Sequence, residues 1–145
     1  MSQRFASDSR PEWFAVFGIA LVLFAGCSEA QPEGPETFPV QGKLVFTKGG
    51  EVKTLFDRQA LVAFDSVEQA GVRAIGEIQE DGSFTVSTIK EGKGKPGAIA
   101  GTHRVRLDLD DSATRFVAPQ FLDFQKSGIT VKVPSDQPLE IKVWR

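Results

Sequence analysis

Cys27 is the residue whose chemistry is easiest to define, because it is the only cysteine in this chain of 145 residues. A single cysteine has no partner within the chain for a disulfide, so an exported domain with this sequence must be stable through its core alone. Cys27 directly follows an apolar segment and lies outside the part of the chain with regular hydrophobic patterning. Since a thiolate is a good nucleophile, covalent modification explains this position better than packing does.

Three aspartates give a weaker pattern. Asp108, Asp110 and Asp111 cluster near the end of a predicted strand, and with Asp81 or Asp65 from a neighbouring loop they could bind Ca²⁺, which prefers six to eight oxygen ligands. The chain has no EF-hand spacing. A solvated strand face, balanced by two nearby arginines, is the simpler interpretation, and the sequence leaves both open.

The remaining candidates argue against catalysis and cofactors. His103 is the only histidine, which excludes a zinc site built on several histidines, and no G-x-S-x-G motif supports a Ser-His-Asp triad. The segment Gly92-Lys-Gly-Lys-Pro-Gly97 matches G-x-G-x-x-G, but it contains a proline and leads into a strand, whereas a dinucleotide site needs a turn that opens a helix. We expect a surface loop over residues 90–101, whose lysines could meet an anionic partner, and no catalytic residue, cofactor or resident metal.

The segment before Cys27 has the length of an export signal. Residues 13–25 are uninterruptedly apolar. As a helix rising about 1.5 Å per residue they would span roughly 20 Å, short of the roughly 30 Å hydrocarbon core of a bilayer. This length is typical of the apolar region of a signal peptide.

The end of that segment, Phe24-Ala25-Gly26-Cys27, resembles the lipobox of bacterial lipoproteins, although Phe24 stands where that family prefers leucine. The resemblance implies that residues 1–26 are a cleaved signal peptide and that Cys27 carries acyl chains, such as palmitate, in a lipid bilayer. Two acyl chains are sufficient for stable anchoring. Ser28 resembles the residue found in lipoproteins that pass to an outer membrane. An uncleaved membrane anchor and a secreted protein with a free thiol remain alternatives.

Composition sets the domain organisation and excludes one class of partner. Residues 27–39 contain three prolines and three glutamates without apolar periodicity, which predicts a flexible tether, and residues 40–145 form the expected domain. The formal net charge of −2 argues against nucleic acid as a partner, because nucleic-acid binding needs a clustered basic surface.

The domain is patterned for strands. Apolar and polar residues alternate with a period of two, and turn signals separate the alternating segments. This predicts an all-β fold, an antiparallel Greek-key sandwich of about seven strands, with no amphipathic helix. The predicted strands cover residues 40–46, 60–64, 72–78, 84–88, 103–110, 129–133 and 139–144.

Several motifs resemble those of small bacterial lipoproteins with a transthyretin-like or carboxypeptidase-regulatory-like β-sandwich. They are Val40-Gln-Gly-Lys-Leu-Val45, Asp81-Gly-Ser-Phe-Thr85, Gly94-Lys-Pro-Gly97 with Gly101-Thr-His-Arg-Val105, and Ser127-Gly-Ile-Thr-Val131. In such proteins these are turn and core positions, so the resemblance implies no peptidase chemistry. His103 and Phe121 stand where those proteins more often have tyrosine.

These observations predict a non-enzymatic envelope protein, held by lipid on the periplasmic or cell-surface side of a membrane, with a structural or protein-interaction role. The alternative is a module that binds carbohydrate or another small ligand. Trp144, on the outward face of the last predicted strand, would serve the alternative as a stacking platform, or would otherwise cap the sandwich. We expect Phe116, Phe121 and Phe124 to belong to a long connection that packs on the core.

Metabolic labelling with a fatty acid tests the anchor. We expect the wild-type chain to incorporate label and the Cys27→Ala chain to incorporate none, because the thiol is the acceptor atom. An unlabelled wild type, or label that survives in Cys27→Ala, would contradict lipidation at this residue.

Overall fold

The computed structural model describes residues 34–90 and 92–145, and there the chain is an all-β sandwich. Cys27 and the rest of residues 1–33 lie outside the described residues, as does Glu91. The strands are β1 Thr37–Phe38, β2 Gln41–Lys48, β3 Leu61–Ser66, β4 Arg73–Glu77, β5 Ser83–Thr85, β6 Ser87–Lys90, β7 Lys93–Pro96, β8 Ala98–Ile99, β9 Gly101–Asp108, β10 Thr130–Val133 and β11 Leu139–Trp144. One short helix, α1 Val52–Phe56, follows β2, and two 3-10 turns, Thr114–Phe116 and Pro119–Leu122, lie between β9 and β10.

Two sheets make up the sandwich. The larger has the order β10-β9-β3-β4-β6-β7, and the smaller has the order β11-β2-β5. Strands β1 and β8 form a separate antiparallel pair. Within the larger sheet, β9 returns to lie beside β3, which gives the spatial order β9-β3-β4-β6 of a Greek key, except that the chain visits β5 of the other sheet between β4 and β6.

The core lies between the inner faces of the two sheets. Leu44 and Ile141 reach it from the smaller sheet, and Phe64 and Val105 reach it from the larger one, each with 1% or less of its surface exposed. The rings of Phe64 and Phe84 pack with their centroids 6.2 Å apart. Burial of such side chains contributes about 1.5 to 3 kcal/mol each, which makes this layer the main source of stability.

All seven predicted strands are present, but one is divided. The alternating segment 84–88 becomes β5 in the smaller sheet and β6 in the larger one. The crossing occurs at Val86, whose N–H donates to the carbonyl of Val40 and whose carbonyl accepts from the N–H of Gly97. Alternation continues through the crossing because both strands bury the same face, so the pattern alone does not reveal it.

Three expectations for the connections are wrong. The segment expected as a loop over residues 90–101 contains β7 and β8, and β7 pairs with β6 in a tight hairpin. The end of the expected tether contributes β1, and the ammonium of Lys95 donates to the carbonyl of Pro35 at 3.0 Å. Helix α1 was not expected, since its five residues are too few for an amphipathic period to be recognised.

Two expectations about pairing also need correction. Strand β11 runs parallel to β2, whereas the sequence led us to expect antiparallel pairing throughout. The Asp81-Gly82 turn is present, with the N–H of Gln79 donating to the carbonyl of Ser83 at 2.8 Å, but it joins strands of different sheets. Neither difference has a local signal, because both depend on which strands become neighbours. None of the helices in the described residues is long and apolar enough to span a membrane.

Gly76 provides a test of how closely the two sheets meet. A Cβ added to this residue of β4 would overlap the carbonyl oxygen of Thr85 in β5 and lie 3.0 Å from its carbonyl carbon. We expect Gly76→Ala to lower the free energy of unfolding by about 1 to 3 kcal/mol, because the backbone of β5 would have to shift. The measurement is denaturant unfolding.

Gly94→Ala is the matched control, because a Cβ at that residue of β7 meets nothing within 4 Å. Its expected effect is below about 0.5 kcal/mol. Equal effects of the two substitutions would show that the close approach of β4 and β5 does not constrain the fold.

Candidate functional site

Strand β11 forms one edge of the smaller sheet. Among the described strands, β11 pairs only with β2. The carbonyl of Val143 faces β2, where it accepts from the hydroxyl of Thr47 at 3.2 Å. The next carbonyl, that of Trp144, faces the other way and accepts from the N–H of Ala118 at 2.8 Å.

Backbone groups of successive residues in a strand face opposite sides. Since Val143 faces β2, the N–H and C=O groups of Glu140 and Lys142 face the open side. We call the backbone of these two residues the β11 edge. It can accept another strand by forming the hydrogen bonds of a sheet ladder.

The side chains of β11 fix the strand while leaving its edge accessible. Ile141 and Val143 are buried in the core, with 1% and 0% exposure. Glu140 and Lys142 lie on the outer face and form an ion pair of 2.9 Å between exposed side chains. Such exposed pairs contribute little stability, so the pair leaves the strand free to meet a partner.

The other sheet edges are less suited to pairing with an additional strand. Strand β7 has four residues and ends in Pro96, which has no N–H and blocks edge pairing. Strands β5 and β10 have three and four residues, against six in β11. Among the sheet edges in the described residues, β11 is therefore the longest.

Trp144 lies at the end of the same strand. Its ring packs edge-on against Phe121, with the centroids 4.6 Å apart and the planes at 83°. Phe121 is buried at 1% exposure, so Trp144 covers part of the core, as expected for a cap. At 39% exposure, however, it keeps a substantial apolar surface in contact with solvent.

In the connection between β9 and β10, Phe116 and Phe121 pack on the core as expected, whereas Phe124 packs against two arginines. Phe121 belongs to the core, and Phe116 packs against it while remaining partly exposed. Phe124 lies below two arginines, with its ring centroid 5.3 Å from the Cζ of Arg73 and 4.7 Å from the Cζ of Arg106. The connection therefore covers one end of the sandwich.

His103 is a core residue. It is 1% exposed, and its Nε2–H donates to the carbonyl of Ile99 at 2.9 Å. Its Nδ1 atom is buried and has no hydrogen-bond partner in the part of the chain that the structure describes, and its ring packs against Phe64. A substrate could not reach this imidazole without opening the sandwich.

The aspartates considered as calcium ligands each contact a different partner and do not converge on one site. Asp108 pairs with Arg106 at 3.3 Å and Asp65 pairs with Arg73 at 3.0 Å, while Asp81 binds the N–H and hydroxyl of Ser83. Within the described residues no group of three or more His, Cys, Asp or Glu side chains could hold a metal ion.

Asp110 organises the turn after β9. One of its carboxylate oxygens accepts from the hydroxyl of Ser112 at 2.7 Å and from the N–H of Ala113 at 2.8 Å. The hydrogen bond from Ser112 is the main reason that the pKa of Asp110 lies below its ordinary value. The neighbouring Asp111 makes no side-chain hydrogen bond within the described residues. This part of the cluster is therefore a turn.

The β11 edge was not predicted from the sequence. The alternation of Leu139, Ile141 and Val143 correctly predicts a strand. Its place at the edge of a sheet depends on which strand pairs with β2, and that partner is separated from β2 by most of the domain. No local sequence motif indicates that this strand lies at the edge of a sheet.

Comparison with known proteins identifies no relative: no family model, no curated protein and no solved structure matches the chain.

Asp110→Asn tests the turn. Because the pKa of Asp110 is lowered in the folded protein, its carboxylate stabilises the fold above the ordinary aspartate pKa of about 3.9 and loses that effect as pH falls through the lowered value. We expect Asp110→Asn to melt at a lower temperature than wild type at pH 7 and at nearly the same temperature at acid pH. Asp111→Asn is the control and should match wild type throughout. A pH-independent difference would contradict the role given to the Asp110 carboxylate.

Proposed function

We propose that this chain is a lipid-anchored protein of the bacterial cell envelope whose β-sandwich binds another envelope protein through the β11 edge and has no catalytic role. The observation that carries the interaction is the backbone of Glu140 and Lys142, which has no strand partner on its outer side among residues 34–90 and 92–145 and lies on a strand held by its buried residues. The lipobox-like sequence ending at Cys27 supports the anchor and an outer-membrane, periplasmic or cell-surface location. The similarity of several turn and core motifs to transthyretin-like lipoprotein domains supports the same class of protein.

The geometry of the polar residues supports a non-catalytic role. The single histidine of the chain is buried, and the aspartates considered as ligands are engaged in separate turns and ion pairs. An open strand edge, by contrast, needs no special side chains to bind, because main-chain hydrogen bonds supply the affinity and adjacent side chains supply the specificity.

Site-specific photocrosslinking in intact cells tests the interaction. A photoreactive amino acid at Lys142 should give a discrete adduct with an envelope protein. The same amino acid at Arg73 should give none, because Arg73 of β4 pairs with Asp65 of β3 on one side and with Ile89 of β6 on the other. No adduct at Lys142, or the same adduct at Arg73, would contradict binding at the β11 edge.

A proline substitution separates edge pairing from simple proximity. In the chain with the photoreactive residue at Lys142, Glu140→Pro removes an N–H that faces the open side and leaves the pairing with β2 intact. We expect the adduct to disappear while the melting temperature changes little. Ile141→Pro, which removes a hydrogen bond to β2, should instead destabilise the domain, and an adduct that persists in Glu140→Pro would argue against strand addition.

Carbohydrate binding is the second candidate function, and the exposed surface of Trp144 favours it. An aromatic side chain partly open to solvent can stack on a sugar ring. Binding on a glycan array that Trp144→Ala abolishes, together with no adduct at Lys142, would favour this candidate over protein association.

A further inference from the structure

The structure brings three arginines together around one aromatic ring. The Cζ atoms of Arg58, Arg115 and Arg145 lie 5.0, 4.9 and 5.8 Å from the centroid of Phe116. We call these four residues the Phe116 cluster. Because each Cζ atom lies within 5.8 Å of the same centroid, any two of the three guanidinium groups are at most about 11 Å apart, a distance comparable to the Debye length of about 10 Å at 0.1 M ionic strength.

The three arginines come from separate parts of the fold. Arg58 follows α1, and its backbone N–H donates to the carbonyl of Leu55. Arg115 lies in the 3-10 turn Thr114–Phe116. Arg145 follows β11 and is held by its N–H, which donates to the carbonyl of Lys48 at 3.1 Å. The fold therefore brings together three arginines that are far apart in the sequence.

None of these three arginines forms an ion pair within the described residues, where the cations of the five ion pairs are Lys53, Arg73, Arg106 and Lys142. Arg58 forms a hydrogen bond to the hydroxyl of Ser112, a neutral group. Asp110 lies close enough to Arg58 to be affected by its charge, but its carboxylate oxygen is already bound to Ser112 and Ala113.

In a second arginine–phenylalanine cluster, around Phe124, carboxylates balance the positive charge of the arginines. Arg73 and Arg106 both lie over Phe124, and each also pairs with an aspartate, Asp65 or Asp108. The Phe116 cluster has three cations in place of two and lacks those paired carboxylates. Since like charges held this close repel each other, an anion between them would lower the free energy of the arrangement.

A cavity adjoins the cluster. Its volume is about 390 Å³, within the range of small-molecule sites, and Phe116 and Arg145 line it together with Gly49, Gly50, Glu51 and Thr54. Glu51 is the one acidic residue in the lining and is exposed. Gly50 is needed here, because a Cβ at that position would overlap the ring of Phe46. Arg145 and Glu51 are the charged residues of the lining, and Arg58 and Arg115 add positive charge beside the cavity through their contact with the same Phe116 ring.

We propose that the Phe116 cluster and its adjoining cavity bind a phosphate-bearing anion. The guanidinium group is planar, always charged and able to form two parallel hydrogen bonds to a phosphate, and contact with an aromatic ring restricts its motion. The phosphate belongs either to a phospholipid headgroup or to a soluble phosphorylated molecule. This site is independent of the β11 edge and of Cys27.

Titration of the full-length chain with sodium pyrophosphate and, separately, with dihexanoyl phosphatidylglycerol below its micelle concentration tests the site. The readouts are calorimetry and the Nε–Hε NMR signals of the arginines. We expect saturable binding of at least one probe, with shifts at Arg58, Arg115 and Arg145. Binding of the lipid identifies a headgroup as the source, and binding of pyrophosphate alone identifies a soluble ligand. Saturable binding of neither probe at millimolar concentration would overturn the proposal.

Variants at the two exposed arginines locate the binding. The double substitution Arg115→Gln with Arg145→Gln should weaken binding at least tenfold, whereas the control Arg73→Gln, at an exposed arginine of the Phe124 cluster, should leave it unchanged. Equal weakening by both would overturn the proposal, since it would show non-specific attraction to positive charge.

A third variant guards against misfolding. If the double substitution to glutamine lowers the melting temperature, the double substitution Arg115→Lys with Arg145→Lys is used in its place. Lysine keeps the positive charge and loses the two parallel N–H donors of the guanidinium group. The lysine pair should bind more weakly than wild type at an unchanged melting temperature, and binding equal to wild type would overturn the role of the guanidinium groups.

Discussion

The parallel pairing of β2 with β11 is the interaction on which the rest of the structure depends. It joins the first long strand of the domain to the last one, in a register that places Leu139 beside Gly42 and Ile141 beside Leu44. This pairing closes nearly the whole domain into one loop, which lowers the entropy of the chain. Burial of the residues between the sheets offsets that loss. The same pairing leaves the other side of β11 open and carries Trp144 to Phe121 and Arg145 to Phe116. The proposed interaction surface and the proposed anion site would thus both depend on one long-range contact.

The crossing at Val86 is the second constraint, because it lets a chain with one continuous alternating pattern serve two sheets. Strand β5 completes the smaller sheet beside β2, and β6 extends the larger one beside β4. The hairpin of β6 and β7 then follows from the same crossing, which is why the glycine- and lysine-rich segment forms sheet and not a loop. The close approach of Gly76 to Thr85 marks the point where the sheets come nearest along this path.

Charge is distributed on this framework in two different ways. Around Phe124 the arginines are balanced by aspartates on neighbouring positions of the same sheet, so the cluster can be explained by stability alone. Around Phe116 the arginines come from three connections and lack such partners in the described residues, so stability alone does not explain why they are held together. This contrast between two similar clusters in one domain is the basis for proposing an anion site at Phe116.

The sequence by itself determined the strand content, the all-β class and most strand positions, because alternation and turn residues such as Asp81-Gly82 act over a few residues. It also excluded a zinc site built on several histidines and a disulfide within the chain, since the chain has one histidine and one cysteine. Only the tertiary structure decided the parallel partner of β2, the division of residues 84–88 between two sheets, the open edge at Glu140 and Lys142, and the meeting of Arg58, Arg115 and Arg145. The physical reason is that these features are contacts between distant segments, and their choice depends on how all the apolar faces are buried at once.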